Sequence, residues 1–302
     1  MDGLILVRKP VSWTSHDVVR ELRRILSMKR IGHFGTLDPL ASGLLLAAVG
    51  RATRLFSYFG AYDKSYAARI RLGFATDTYD AAGSPASAER TDLPSAEAVT
   101  AVLSRFVGEI DQLPPPYSAR KHLGKPLYSY ARKNQEVERK PSRVRVTAFT
   151  LLSYVPPLVE AEVRCSSGTY VRSLAHDLGL VLGCGAHLDG LVRTEIGPYR
   201  LEEARDPDEI RELQSGGWTE RFLIPLERLL TDRPALTLSE REAEYVRRGR
   251  TVRPSGPRIG PGGLEPAPER EVVRLLGPDG SLVALARSGP EPGSWAPAVV
   301  FL

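Results

Sequence analysis

Residues 32–46 read GHFGTLDPLASGLLL, and the Asp38–Pro39 step in this stretch rules out a continuous helix across it. The proline ring disfavours the helical region for Asp38 and holds that residue extended. Gly35 and Gly43, on either side, admit tight turns and let another backbone approach closely. The chain must therefore turn here, among apolar neighbours, around a single carboxylate. Taken alone, such an acid is more often a turn former or a helix N-cap than a reactive group. The segment matches neither a calcium-binding loop nor a phosphate-binding glycine loop. A chemical role needs a partner that keeps the carboxylate ionised in apolar surroundings, and an arginine would do this.

The segments around that turn alternate between helical and strand periods. GLILVRKP reads as an opening strand ended by Pro10. Ser15 is then expected to cap a helix with Val18, Val19, Leu22, Ile25 and Leu26 on one face and Arg20, Arg23 and Arg24 on the other. KSYAARIRLG sends Tyr66, Ala68, Ile70 and Leu72 one way and Arg69 and Arg71 the other, which is a strand pattern. The turn-rich stretch 73–92 reads as a surface loop, and LPSAEAVTAVLSRFVGEI as an amphipathic helix capped by Ser95. Pro114, Pro115 and Pro116 favour an extended conformation that feeds a basic loop and a short helix. Residues 143–152 and 158–165 read as strands. In TYVRSLAHDLGLVLG, Gly168 and Thr169 are expected to open a helix with Leu174, Leu178 and Leu182 along one stripe.

After about residue 232 the character changes to a helix in SEREAEYVRRGR, a Pro/Gly-rich stretch at 254–268 and short strand-like runs, REVVRLLG and SLVALARS. The expectation is an α/β (α+β) chain. A mixed, largely antiparallel sheet flanked by helices would occupy residues 1–232, and a small β-rich domain residues 233–302. A length of 302 residues suits two domains of roughly 100–200 residues each.

Charge points to a polyanion. Net charge is +5, and residues 120–145 carry nine basic side chains against Glu136 and Glu138. Tyr117, Tyr128 and Tyr130 are interleaved there and offer stacking surfaces, and Arg247, Arg248, Arg250 and Arg253 form a second cluster. A single run of this kind is ordinarily a solvated face; two runs with aromatics favour nucleic acid. No apolar run reaches the roughly 20 residues that span a bilayer. MDGLILVRKP has an acid at position 2 and no leader pattern. Cys165 and Cys184 are too far apart for a metal pair, and His176 and His187 add no zinc spacing. Both cysteines are expected reduced and buried, in a cytoplasmic protein without metal or membrane partner.

CSSGTYVRSLAHDLG puts Arg172 in the first turn of a helix, where the dipole opposes a cation, so charge placement alone does not account for it. Ser166 and Ser167 lack a G-x-S-x-G elbow. Four segments, GHFGTLDPLASGLL, KSYAARIRLGFATDTYDAAG, PPPYSARKHLGKPLYSYAR and SSGTYVRSLAHDLG, occur in the order and approximate spacing of one family. The chain resembles the bacterial tRNA pseudouridine-55 synthases of the TruB family, from residue 2 to about residue 200. The resemblance resumes weakly in VVRLLGPDGSLVALA, which looks like the family's small PUA-type RNA-binding domain.

The resemblance implies isomerisation of uridine 55 in the T-loop of tRNA, with no cofactor. It implies that Asp38 is the catalytic aspartate that attacks the uridine, that Tyr66 stacks on the base, and that Arg172 pairs with the aspartate. Tyr170 and Leu191 would line the substrate, His33 would contact the T-loop beside the extruded base, and Lys121 would contact phosphate. The partner would be the T-loop and stem of tRNA, bound by a monomer without a protein partner. Phe34 and Val192 depart from the residues common in the family, and the loop at 254–268 interrupts the PUA-like segment. The residues leave open attack at C1′, attack at C6 and a glycal route. Two further readings share the basic surfaces. One is a non-catalytic tRNA-binding or folding module; the other is a guide-RNA-dependent synthase of the related archaeal and eukaryotic type. The ending AVVFL, without a lysine-rich tail, favours the stand-alone enzyme over the latter.

Overall fold

Gly3–Lys9 forms strand β1, and Pro10, which has no amide hydrogen, ends it. Helix α1 (Ser15–Leu26) buries Val18, Val19, Leu22 and Leu26 and exposes its three arginines, as its period requires. Its cap is Thr14 and not Ser15: the Thr14 hydroxyl accepts from the Asp17 amide, and the Asp17 carboxylate accepts from the Thr14 amide at 2.8 Å. Ser15 is the first helical residue, and its hydroxyl turns inward to the Leu37 peptide. The chain continues through β2 (Ile31–Phe34), β3 (Ala41–Val49) and β4 (Lys64–Leu72), with Tyr66, Ala68, Ile70 and Leu72 buried on one face of β4.

The computed structural model describes residues 1–301 except 119, 123, 132, 134, 136 and 260–271. Stretch 73–92 has only bridged turns, as expected of a loop, yet Thr76 and Asp80 within it are buried. Helix α2 (Ala96–Ser104) is capped by Ser95 but is shorter than its sequence pattern: the chain turns out of it over residues 105–107, and Gly108–Gln112 leaves as strand β5. A hairpin at Lys121–His122 and Lys125–Pro126 precedes a short helix at Leu127–Ala131. Then follow β6 (Ser142–Val155), β7 (Leu158–Cys165), helix α3 (Val171–Leu182), β8 (Ala186–Ile196) and β9 (Leu223–Pro225). Helix α3 opens two residues later than its glycine suggested, with Tyr170 as its cap.

Among the described residues these strands form one ten-stranded sheet in the order β9-β1-β3-β8-β4-β7-β6-β5, with β2 beside β3 and Tyr199–Arg200 beside β8. Every pairing is antiparallel except β3 with β8. At that parallel seam Gly43 lies opposite Arg193, and a Cβ on Gly43 would sit 2.4 Å from the Arg193 carbonyl oxygen. The close approach that Gly43 permits is thus made by the protein's own backbone. Helices α2 and α3 bury Val99, Leu174 and Leu178 against β4, β6 and β7, and α1 covers β1 and β3. Both cysteines are buried free thiols.

A second, five-stranded sheet is made by β10 (Ala235–Thr237), β11 (Arg258–Ile259), β12 (Val272–Leu276), β13 (Leu282–Ser288) and β14 (Trp295–Val300), in the order β11-β10-β12-β13-β14. Helix α4 (Glu240–Arg247), capped by Ser239, packs on it. The two sheets share one apolar cluster, in which Leu4, Leu6, Phe34, Leu46 and Phe59 of the first region meet Leu226, Leu285 and Phe301. Phe59 is buried in it, with ring centroids 4.6 Å from Phe34 and 5.8 Å from Tyr199. Replacing Phe59 with Ala removes these contacts and leaves a cavity, so we expect a loss of about 3–5 kcal/mol, read as a lower urea midpoint at unchanged slope. A midpoint within error of wild type would contradict this packing.

Candidate active site

The turn after β2 carries Asp38 and is anchored at several backbone points. The Ser15 hydroxyl accepts from the Leu37 amide at 2.8 Å and donates to the Leu37 carbonyl at 3.1 Å. The Ser12 amide donates to the Pro39 carbonyl at 2.8 Å, and the Ala41 amide to the Asp38 carbonyl at 3.1 Å. From β8, the Arg193 guanidinium donates to the carbonyls of Leu44 (2.8 Å), Thr36 (3.3 Å) and Gly35 (3.0 Å). Apart from Ala41, these partners are distant in sequence from the turn or sit across a strand pairing. The carboxylate is therefore aimed by contacts from the sheet and from α1 as well as by its own loop.

It is aimed at Arg172. On α3, Arg172 Nε lies 2.9 Å from Asp38 Oδ2; the contact is off the N–H axis and is an ion pair, not an aligned hydrogen bond. The arginine side chain is 7% exposed and the aspartate 43%, so a buried cation holds an acid that still reaches open space. The helix dipole opposes a cation at this position, and three other groups offset it. Asp80 Oδ2 is 3.4 Å from Nη1, and the guanidinium donates to the carbonyls of Thr78 (3.1 Å) and Tyr117 (2.9 Å). Asp80 is itself held through Oδ1 by the Thr78 hydroxyl at 2.6 Å and the Ala82 amide at 3.1 Å.

Asp38 and Arg172 line a cavity of about 270 Å³ between the Asp38 turn, β4, β8 and the start of α3. Asp38, Tyr66, Arg172, Tyr170 and Leu191, all singled out from the sequence, lie on its wall. Tyr170 is fixed there by buried Gln112, whose amide group accepts from the Tyr170 amide at 2.8 Å and donates to its carbonyl at 3.0 Å. Burial raises the Tyr66 phenol above its ordinary pKa, with Arg193 beside it acting in the opposite direction. Burial also lowers the Arg193 pKa. His33 is on β2 and is not a wall residue; burial, then the Arg193 and His16 charges, lowers its pKa, and its Nδ1 has no partner among the described residues. The side chain of Lys121 lies outside the described residues.

Residues 23–171 match the model of the TruB family pseudouridylate synthase N-terminal domain, and residues 172–231 match that of the tRNA pseudouridylate synthase B C-terminal domain. The chain belongs to the TruB family. A tRNA pseudouridine synthase B from Dehalococcoides mccartyi strain CBDB1 is 38% identical over 302 residues, covering 100% of this chain and 97% of the relative. That from Geobacter sulfurreducens is 42% identical over 288 residues, covering 95% and 94%. Among solved structures, an archaeal box H/ACA sRNP Nop10–Cbf5 complex matches with TM-score 0.74 at 25% identity, over 99% of this chain and 86% of that one. A Cbf5–Nop10–Gar1 complex matches with TM-score 0.72 at 27% identity, over 95% and 78%.

Several wall and support residues of this TruB-family chain have no periodic or charge signal that marks them, although Lys64 and Asp80 lie within KSYAARIRLGFATDTYDAAG. Asp80 sits in a turn-rich stretch, and Arg193 and Gln112 look like ordinary strand residues. Lys64 is another: it lines the cavity and donates to the Tyr62 carbonyl at 2.6 Å. Burial, together with the Arg193 charge, lowers its pKa from 10.5 to about 8. Below about pH 8 Lys64 is protonated in both states and the cost of burying the charge is present in full. Between about 8 and 10.5 the unfolded chain binds more protons than the native one, so this group makes stability rise with pH there. Relative to Lys64→Met, the wild type should gain unfolding free energy across that window in urea titrations. A difference that stays flat or falls would contradict the burial of the charge.

Proposed function

We propose that this chain is a stand-alone tRNA pseudouridine synthase, an isomerase that converts uridine 55 of the T-loop to pseudouridine with Asp38 as nucleophile. The relatives named tRNA pseudouridine synthase B match along nearly their whole length, which supports the substrate class. The observation that carries the chemical reading is the half-exposed Asp38 carboxylate, ion-paired to buried Arg172 at the wall of a cavity that also holds Tyr66.

The reaction breaks N1–C1′, turns the base and forms C5–C1′; the hydrogen on C5 leaves as a proton to water and N1 takes up a proton, so the composition is unchanged. A carboxylate nucleophile splits that difficult exchange into two easier steps. The uridine must first leave its stack, at a cost of a few kcal/mol. Stacking on the Tyr66 ring returns about 1–3 kcal/mol. Arg172 keeps Asp38 charged and directed, Tyr170 and Leu191 flank the base, and His33 meets the T-loop beside it. Lys121 and the basic stretch 120–145 follow phosphates of the T-stem. Residues 1–232 form the catalytic domain in this reading, and residues 233–302, with their own sheet and the arginines 247, 248, 250 and 253, form a PUA-like RNA-binding domain. The enzyme acts as a monomer in the cytoplasm, without a protein partner.

Tritium release from tRNA labelled at C5 of uridine tests the assignment. Wild type should release tritium, and Asp38→Asn should not, while both bind tRNA equally. Equal release by the two proteins would remove Asp38 from the chemistry, and binding by both without release by either would make the chain a tRNA-binding module.

A further inference from the structure

Most polar side chains on the cavity wall are already committed. Arg172 holds Asp38, Asp80 and two carbonyls; Arg193 holds three carbonyls and adjoins the Tyr66 phenol. Lys64 donates to the Tyr62 carbonyl, and the Thr169 hydroxyl donates to the Ser166 carbonyl at 2.9 Å. Thr36 and Ser167 are exposed to water. One group is different. Ser118 lines the cavity, is 4% exposed, and its hydroxyl has no hydrogen-bond partner among the described residues. Apart from Arg172 Nε, which faces Asp38, it is the one buried and unpartnered side-chain atom on that wall among the described residues.

A buried hydroxyl without a partner is costly, and a native chain keeps one where something else completes it. The position of Ser118 is not loose. The preceding carbonyl, that of Tyr117, accepts from Arg172 at 2.9 Å. Upstream, the Leu113 carbonyl accepts from the Ser173 hydroxyl at 2.7 Å and the Pro114 carbonyl from Arg139 at 2.9 Å. The same arginine that directs Asp38 therefore also sets the segment that carries Ser118.

We propose that the Ser118 hydroxyl is a substrate-orienting contact, completed by the polar edge of the extruded uracil; this rests on the functional reading above. A base removed from its pairing partner brings O2, N3–H and O4 into the cavity unpaired. A hydroxyl serves either need, since it donates to a carbonyl oxygen or accepts from N3–H. It thereby holds the ring in one rotation against Asp38 before the bond to the sugar breaks.

The test compares wild type, Ser118→Ala and the near-isosteric Ser118→Cys by single-turnover tritium release from C5-labelled tRNA, by filter binding to tRNA, and by thermal melting. Ser118→Ala should react about 10- to 100-fold more slowly at saturating enzyme. Its tRNA affinity should match wild type, and its melting temperature should be equal or higher because a partnerless hydroxyl is gone. Ser118→Cys should fall between the two. A wild-type rate in Ser118→Ala overturns the proposal. So does weakened binding at an unchanged rate, which would put the hydroxyl on a phosphate of the docked RNA and lower the salt slope. A lowered melting temperature in both variants, matching the loss of rate, would make Ser118 a structural residue. If wild type itself releases no tritium, the functional reading fails first and takes this contact with it.

Discussion

The ion pair between Asp38 and Arg172 is the interaction around which the rest of the molecule is arranged. It joins a turn near the start of the chain to a helix more than a hundred residues later, and neither side could hold the geometry alone. Arg172 is buried at a helix end whose dipole opposes it, so it persists only because Asp80, Thr78 and Tyr117 supply oxygen partners. Asp38 is anchored independently, through Ser15, Ser12 and Arg193. With both partners held by separate sets of contacts, the carboxylate keeps its direction while one side of it remains open.

That arrangement depends on the sheet. The parallel seam between β3 and β8 brings Arg193 across the Asp38 turn, and it closes only because Gly43 has no side chain. The same strand β8 presents Leu191 to the cavity, and its other neighbour, β4, presents Tyr66. The site is therefore built on rigid strands and a helix start, with loops contributing Asp38 and Ser118 to its wall. The second sheet shares an apolar cluster with the first, and the Tyr62 hydroxyl donates to Asp232 at 2.8 Å close to where they meet. It is attached through packing and not through a free linker.

Much of this was legible in the sequence because the signals were periodic or local. The alternation over β4, the apolar stripes of α1 and α3, and the Ser95 cap all state their own structure. Asp38, Tyr66, Arg172 and Tyr170 were found through ordered motifs and Leu191 through the family resemblance, and they meet on one cavity wall. What escaped was set by partners far away in the chain. Ser15 looked like a cap, but Thr14 had the better box with Asp17, which freed the serine for Leu37. Asp80 looked like one of many turn acids until Arg172 was placed beside it. The helix after Ser95 ended at Ser104 although its apolar pattern ran on, and Ser118 has no local property that marks its hydroxyl as unpartnered.

The central claim is that the Asp38–Arg172 centre isomerises one uridine of the T-loop. The direct measurement is a nucleotide-resolution map of pseudouridine in an unmodified tRNA transcript after incubation with the purified protein. The account predicts one new pseudouridine, at position 55, and none elsewhere. An unchanged map, or pseudouridine at other positions with uridine 55 untouched, would contradict it.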